Sequence, residues 1–382
     1  MKDWNALSDD EFRQAAREFI IRHYPPEKRF IIGRARWAQI QDWYMTLSRH
    51  GWLAPAWPRE HGGMGLAPGK LLIWIEEQER HGVARVPDHG INMIGPTLLQ
   101  VGSPEQRAFY LPRILSGEHL WAQGYSEPGA GSDLASLRTE AVVDGDHLVV
   151  NGQKTWSTMA HESTHMYMLV RTDRSAAKQK GISFLLVDLA TPGIRMRPIM
   201  DIVGESNFCE VTFDNVHVPL ADVVGGLNNG WSIAKTQLGF ERLLHGSPKM
   251  PEQMLMRLQE LARHTGLMAD PLFAQRFAAL ALDVADLGTL YARYVAFVRR
   301  GQPLPPDVSM LKIWSGETYG RIADLAVEAL GACGTLPGVV EIDGLKAEIM
   351  THYYRARPAT IYAGSSEVQR NILAKNVLGL PS

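Results

Sequence analysis

Between Leu137 and Pro219 the chain breaks into five short apolar runs: Ala141–Val143, His147–Val150, His165–Val170, Ile182–Val187 and Val211–Val218. Turn-forming residues punctuate them at Asp144-Gly145, Asn151-Gly152, Thr191-Pro-Gly193 and Asp214-Asn215. Runs this short and this regularly interrupted predict an antiparallel β-barrel or sandwich rather than helices. The flanks follow a different period. Ser8 and Glu11 make a capping box, and Phe12, Ala15, Phe19, Ile20 and His23 recur at helical spacing. A second helix over Trp37 to His50 ends at Gly51, and further helical patterns run through Lys70–Arg80 and Ile91–Val101. Ser103-Pro-Glu-Gln106 opens another with capping-box spacing. After Gly225-Gly226 and Asn229-Gly230 the helical period returns and persists to Leu378, broken by the Pro-rich loop Gln302–Pro306. The expectation is an α+β multidomain chain: an N-terminal helical domain (1–120), a β-domain (121–225) and a C-terminal helical bundle (226–382).

Composition narrows the classes of function. With 382 residues, 45% of them hydrophobic, the chain can bury a core in each of these regions. Lys plus Arg number 39 against 41 Asp plus Glu, a balance that argues against nucleic acid or an anionic membrane as partner. Two cysteines, Cys209 and Cys333, cannot build a disulfide framework and fit a reducing compartment. The opening MKDWNALSDDEF lacks the apolar core of a secretory signal, and no apolar run reaches the roughly 20 residues of a membrane span. A cytoplasmic location follows as an expectation.

Two segments inside the β-region carry chemistry. Gln123-Gly-Tyr-Ser-Glu-Pro-Gly-Ala-Gly-Ser-Asp133 is turn-forming, and Pro128, Gly129 and Gly131 let backbone amides come close to a bound group. Lys154-Thr-Trp-Ser-Thr158 sets an indole and hydroxyls at a hairpin exit. Paired, they suit a flat heterocycle with polar edges, and point to a flavin. His161-Glu-Ser-Thr-His165 spells the zinc-protease pattern, but that mechanism needs both histidines on one helical face. Here it sits before a strand pattern, so no metal is expected. Gly129-Ala-Gly131 runs on to Leu134 instead of a third glycine and lies outside any βαβ unit, which removes a Rossmann nicotinamide site.

A helix over Trp231–His245 would put Trp231, Ala234, Leu238, Glu241 and His245 on one stripe. A carboxylate in a mostly apolar stripe is costly without a purpose or a partner. Desolvation would raise the Glu241 pKa, as a base for carbon acids requires. An i,i+4 pair with His245, or a surface ion pair, explains it equally well.

Together these segments carry a resemblance. YSEPGAGSD, KTWST, Gly51-Trp-Leu-Ala-Pro-Ala-Trp-Pro58 and Ile361-Tyr-Ala-Gly-Ser-Ser-Glu-Val-Gln-Arg370 resemble, in order and over nearly the whole chain, the acyl-CoA dehydrogenase family. The resemblance implies FAD as cofactor, an acyl-CoA thioester as substrate, and an electron-transfer flavoprotein-type acceptor. It puts Tyr125, Ser126, Trp156, Ser157 and Thr158 at the isoalloxazine, and Ser365, Ser366 and Glu367 at the dinucleotide portion of FAD. Ser132, Arg242, Tyr362 and Gly364 fall at substrate positions. Many members carry their base in an I-Y-E-G-T segment, where this chain has Ala363. A minority, similar to isovaleryl-CoA and long-chain dehydrogenases, place it earlier as E-R-L, and here Phe240-Glu-Arg-Leu-Leu244 occupies that place. The implied base is therefore Glu241, with the Ala363 backbone N–H donating to the thioester oxygen while the β-hydrogen leaves as hydride, giving a trans-2-enoyl-CoA. The rival is a catalytically dead subunit with Glu241 incidental, and an oxygen-using oxidase or monooxygenase on the same fold is a further alternative.

Two departures bear on assembly. The family's R-x-x-F-G segment cannot be aligned securely with Asp270-Pro-Leu-Phe-Ala-Gln-Arg-Phe-Ala278, and a G-G-x-G-Y loop is replaced by Gly331-Ala-Cys-Gly-Thr335. In the family a neighbouring subunit supplies both. Their erosion points to another chain completing the FAD site, an α2β2 heterotetramer as an alternative to a homotetramer. With Ala363 freeing space near the reacting carbons, the expected acyl group is branched, cyclic or steroid-derived.

Overall fold

A computed structural model describes residues 2–31, 34–84, 89–336 and 338–381; the side chains at 238–242 and 244 lie outside that set. The chain divides into two compact units, 1–237 and 238–382, with the division inside one helix. In the first unit, helices α1 (Asp9–His23), α2 (Trp37–Arg49), α3 (Pro68–Arg80), α4 (Gly95–Val101) and α5 (Pro104–Leu115) precede the strands. Both capping boxes form: Ser8 with Glu11, and Ser103 with Gln106. Phe12, Ala16 and Ile20 bury one stripe of α1, alongside Ile40, Trp43 and Tyr44 of α2 and Ile73 and Trp74 of α3. A π-helical turn, His89–Ile94, leads into α4 where a continuous helix was expected.

The β-region is one sheet with strand order β6-β7-β3-β2-β4-β5-β8, and β1 pairs with β4. Its strands are β1 (Trp121–Gly124), β2 (Glu140–Asp144), β3 (His147–Thr158), β4 (His165–Arg171), β5 (Ile182–Asp188), β6 (Ile194–Ile199), β7 (Phe208–Pro219) and β8 (Val223–Val224). The path is open, so the expected barrel is not closed, and β1·β4 and β2·β4 pair in parallel. Asp144-Gly145 turns the β2–β3 hairpin as expected. Asn151-Gly152 and Asp214-Asn215 are not turns. They face each other across the β3·β7 ladder, where the register shifts between Val150 and Gly152. Gly152 is required there, because a Cβ would stand 2.7 Å from the Thr139 Cα. The turn chemistry at these positions serves a bulge inside a long strand.

His165 opens β4 with its ring stacked on His119, centroids 3.7 Å apart. Burial pulls the His165 pKa down to about 4. The unfolded chain would take up that proton near pH 6.5 while the folded protein does not. Stability is therefore full above pH 6.5 and falls as the pH drops toward 4, by up to about 1.4 kcal/mol per pH unit. In urea denaturation followed across that range, His165→Gln should flatten the decline; an unchanged slope would remove His165 as its source.

The second unit continues from helix α6 (Gly230–His245) through α7 (Lys249–His264), α8 (Pro271–Arg299), α9 (Ser309–Leu330), α10 (Met350–Ala356) and α11 (Ser366–Asn376). The helical period hid a β-hairpin, β9 (Val340–Ile342) with β10 (Leu345–Ala347). Helix α9 is central: α7, α8, α10 and α11 all pack on it. Its apolar positions Ile322, Ala323 and Ala326 join Leu258, Leu261 and Phe277 in the main core of the unit. Among the described residues no helix is long and apolar enough to cross a membrane.

Candidate active site

In the first unit a buried ion pair ties the two motifs together. Lys154, fully buried in β3, donates from Nζ to Glu127 Oε1 at 2.8 Å and to the Leu169 carbonyl at 2.6 Å. Glu127 also accepts from the backbone amides of Arg138 (2.6 Å) and Thr139 (2.9 Å). Between Glu127 and Ala130 paired backbone bonds close a tight turn, with Pro128 and Gly129 at its tip. The Thr155 amide donates to the Ser126 carbonyl at 2.9 Å. One charged clamp and one backbone bond thus fix the Gly-rich turn to the strand that carries Trp156. Burial lowers the Lys154 pKa to about 8 against the pull of the carboxylate, whereas Lys154 and the two amides hold Glu127 below the usual carboxylate value.

β3 then departs from the ladder. The register shifts again between Lys154 and Ser157, and Trp156 takes φ +59°. A bulky residue in left-handed conformation is strained, and persists where the surroundings hold it. The result turns the Trp156 indole outward, 60% exposed, with its ring nearly perpendicular to that of Phe208 at 5.9 Å between centroids. Next to it Ser157 is buried, and its Oγ has no hydrogen-bond partner among the described residues. Thr158 is half-buried. Gly129, Gly131 and Ser132 are exposed, and a Cβ on either glycine would meet nothing within 4 Å. Neither has a left-handed φ. The chain's own backbone and packing do not require glycine at either position.

Tyr125 is placed differently from its neighbours. Its ring is buried, and its hydroxyl makes a short hydrogen bond to Gln237 Oε1, which leaves only its backbone on the turn side. Gln237 donates onward to Thr97 Oγ1 at 3.2 Å. The buried positions at this end of α6 are Gly230, Ile233, Ala234 and Gln237, with Trp231 half-buried; of the expected stripe, the side chains of Leu238 and Glu241 lie outside the described residues. Glu241 lies four residues beyond Gln237 in the same helix. The side chains of Glu241 and Arg242 lie outside the described residues.

In the second unit the segment before α11 is bent sharply. Ala363 has φ +54° and Gly364 φ +84°, and Ser365 then caps α11 by accepting from the Val368 amide at 3.3 Å. A left-handed alanine costs about 1–2 kcal/mol. The bend is held from within: Gln369 Nε2 donates to the Ala363 carbonyl at 3.4 Å, and a Cβ on Gly364 would stand 2.5 Å from that nitrogen. Ser366 is buried and its Oγ has no hydrogen-bond partner among the described residues, while Glu367 is exposed in the first turn of α11. Tyr362 is 40% exposed, with His245 against its ring at 5.5 Å between centroids.

The zinc-protease pattern has a structural use. Glu162 accepts from the Trp37 amide at 2.8 Å and pairs with Arg36 at 3.3 Å at the start of α2, and His161 Nδ1 lies 3.0 Å from Cys209 Sγ. His161 sits in a 3-10 turn and His165 in a strand, and no metal-binding cluster exists among the described residues. Sequence reading gave Glu127 and Lys154 no role. Their signal was a charge at an inward strand position, answered by a carboxylate in the turn.

Family descriptions of the acyl-CoA dehydrogenase N-terminal, middle and C-terminal domains match residues 8–118, 122–216 and 228–378. Acyl-CoA dehydrogenase FadE29 of Mycobacterium tuberculosis is 44% identical over 99% of this chain and 94% of its own length. Acyl-CoA dehydrogenase IpdE1 of the same organism is 39% identical over 89% of this chain and 87% of its own. Among solved structures, the Tcur3481-Tcur3483 steroid acyl-CoA dehydrogenase superposes with a TM-score of 0.84 at 30% identity, covering 98% of this chain and 97% of that one. The ChsE4-ChsE5 complex from Mycobacterium tuberculosis does so at 0.82 and 32%, covering 98% of each chain. Helical, sheet and helical domains in that order, the clamped turn, the bulged tryptophan strand and these matches agree: the chain belongs to the acyl-CoA dehydrogenase family, oxidoreductases acting on CH–CH donors.

Proposed function

We propose that this chain dehydrogenates a bulky acyl-CoA thioester, branched, cyclic or steroid-derived, to its trans-2-enoyl-CoA with FAD as cofactor. The observation that carries the reading is the left-handed Ala363 at the place where many relatives hold a carboxylate. Alanine cannot accept a proton, yet it stands in a strained left-handed backbone, which fits a position used for its amide. It also lacks the carboxymethyl group by which a glutamate would extend further, leaving room for a wide acyl chain.

The residues present fit a flavin nucleotide. An outward indole at Trp156, an unpartnered Ser157 Oγ and the open glycines 129 and 131 suit a flat ring with polar edges. Ser126 and Thr158, and the backbone of Tyr125, complete that group. The N-terminus of α11, with Ser365, the unpartnered Ser366 and Glu367, suits the dinucleotide portion. When bound, FAD supplies the oxidising chemistry by accepting the β-hydrogen.

The chain's own residues do the rest. Glu241 removes the α-proton. As negative charge grows on the thioester oxygen, the Ala363 N–H, already held by the bend, donates to it without reorganising. Ser132 and Arg242 hold the CoA portion, and Tyr362 and Gly364 border the acyl group. Relatives solved as two-chain complexes, together with the altered 270–278 and 331–335 segments, support a partner chain that completes the FAD site, and an electron-transfer flavoprotein-type acceptor.

Anaerobic titration with straight, branched, cyclic and steroid-side-chain CoA esters tests the reading. Bulky esters should bleach the flavin most strongly, and reoxidation should be faster with a flavoprotein acceptor than with oxygen. Bleaching confined to straight medium chains would contradict the substrate class; no bleaching by any ester would contradict the activity.

A further inference from the structure

Helix α9 turns an unusual face toward the bent segment. Lys312, Ser315, Gly316 and Tyr319 follow at i, i+3, i+4 and i+7, all buried, in a helix whose other buried positions are mostly apolar. Lys312 is 2% exposed, and no carboxylate among the described residues is within ion-pairing distance of it. Its ammonium donates to the Ala359 carbonyl at 2.5 Å and stands 5.0 Å from the centre of the Tyr362 ring. Gly316 lets the backbones close up, since a Cβ there would be 2.9 Å from the same Ala359 oxygen. Ser315 donates to the Ser247 carbonyl at 2.9 Å, just beyond the end of α6. A buried lysine that meets, among the described residues, one carbonyl and one aromatic face is expensive to keep. Burial pulls its pKa down to about 8, which is the mark of that cost.

We propose that Lys312 is a positioning residue for α-proton removal: its cation, held between Ala359 and Tyr362, fixes the 359–363 segment so that the Ala363 amide meets the thioester oxygen. The proposal rests on the dehydrogenase reading above and deepens it. An aliphatic residue of equal length would fill the same space, so packing alone does not call for the charge.

The test separates enolate formation from redox turnover. The probe is a 3-thia-acyl-CoA carrying the acyl group that bleaches the flavin best; it has an acidic α-C–H and no β-C–H to lose. In D2O the holoenzyme, with any partner chain that copurifies, breaks the α-C–H bond and returns deuterium to the same carbon, read by NMR. Lys312→Met should slow this exchange by about tenfold or more, since losing a direct oxyanion donor costs on the order of 10²–10³-fold and this effect is indirect. The Kd of the probe should change by less than about threefold, because the lost interaction matters only as charge develops. Lys312→Arg should recover part of the rate. Gly316→Ala, which presses on the Ala359 carbonyl with Lys312 intact, should slow exchange in the same way and decides the matter if Lys312→Met does not fold. Wild-type exchange in the variant that folds, or a Kd that weakens in step with the rate, overturns the role of Lys312 and leaves the dehydrogenase reading standing. A wild-type protein that shows no exchange overturns both.

Discussion

Glu241→Gln should lower kcat by about 10²–10⁴-fold while the protein keeps its flavin and its affinity for a substrate analogue, since a positioned general base is worth about that factor. Gln is close to Glu in size and keeps a hydrogen-bonding head group, but it cannot accept the α-proton. The alternative site for a carboxylate is already closed, because position 363 is alanine. The effect should therefore appear in kcat and kcat/KM together, as for an interaction made only in the transition state. A companion variant sharpens the result: Ala363→Glu, alone and combined with Glu241→Gln. If the base has moved between these two positions, the double variant should regain part of the activity toward small acyl-CoA esters and little toward bulky ones. Near-wild-type turnover in Glu241→Gln would remove Glu241 from the role and favour the catalytically silent subunit. Single-turnover flavin reduction in rapid mixing is the measurement, since it avoids the electron acceptor.

The architecture was legible in the sequence wherever a local rule decided it. Ser8 with Glu11 and Ser103 with Gln106 cap their helices because a capping box is satisfied within four residues. Asp144-Gly145 turns a hairpin for the same local reason. The reading went astray where distant strands set the outcome. Asn151-Gly152 and Asp214-Asn215 carry turn chemistry, yet each is spent on a bulge because the other stands opposite across β3·β7. β1 and β6 escaped notice: Trp121–Gly124 is held by pairing with β4, and Ile194–Ile199 is mostly exposed and carries charged residues. The β9–β10 hairpin was lost inside a helical period for a similar reason, since its core partners lie on other helices. Motif order singled out the turn, the tryptophan and the Ala363 segment as candidates. It gave no hint of the left-handed backbone at Trp156 and Ala363, which depends on what surrounds them. Nor did it reveal Lys312, whose sequence neighbours look like any amphipathic helix.

The clamp that joins the two segments proposed to hold flavin makes the other large prediction. Glu127→Ala leaves a fully buried ammonium without its counter-ion and should cost about 3–5 kcal/mol of stability in urea denaturation. Lys154→Met should cost less than that, because Glu127 keeps the amides of Arg138 and Thr139. The direction of the lysine shift explains why the pair is better read as a device for geometry than as a source of net stability. With its pKa pulled to about 8, below the 10.5 of the unfolded chain, burial outweighs the attraction of the carboxylate. Removing both charges together should therefore be milder than removing Glu127 alone. In a double-mutant cycle, Glu127→Ala with Lys154→Met should cost less than the two single variants added together, with a coupling energy of about 1–3 kcal/mol. Recovery of stability and recovery of cofactor affinity then separate the two functions of the clamp. The double variant should fold but bind FAD more weakly, because the charged clamp no longer helps the Thr155–Ser126 backbone bond fix the Glu127–Ala130 turn against the strand bearing Trp156 and Ser157. Equal affinity in wild type and double variant would show that the backbone bond from Thr155 to Ser126 alone holds the turn, and that the buried charges are dispensable for the site.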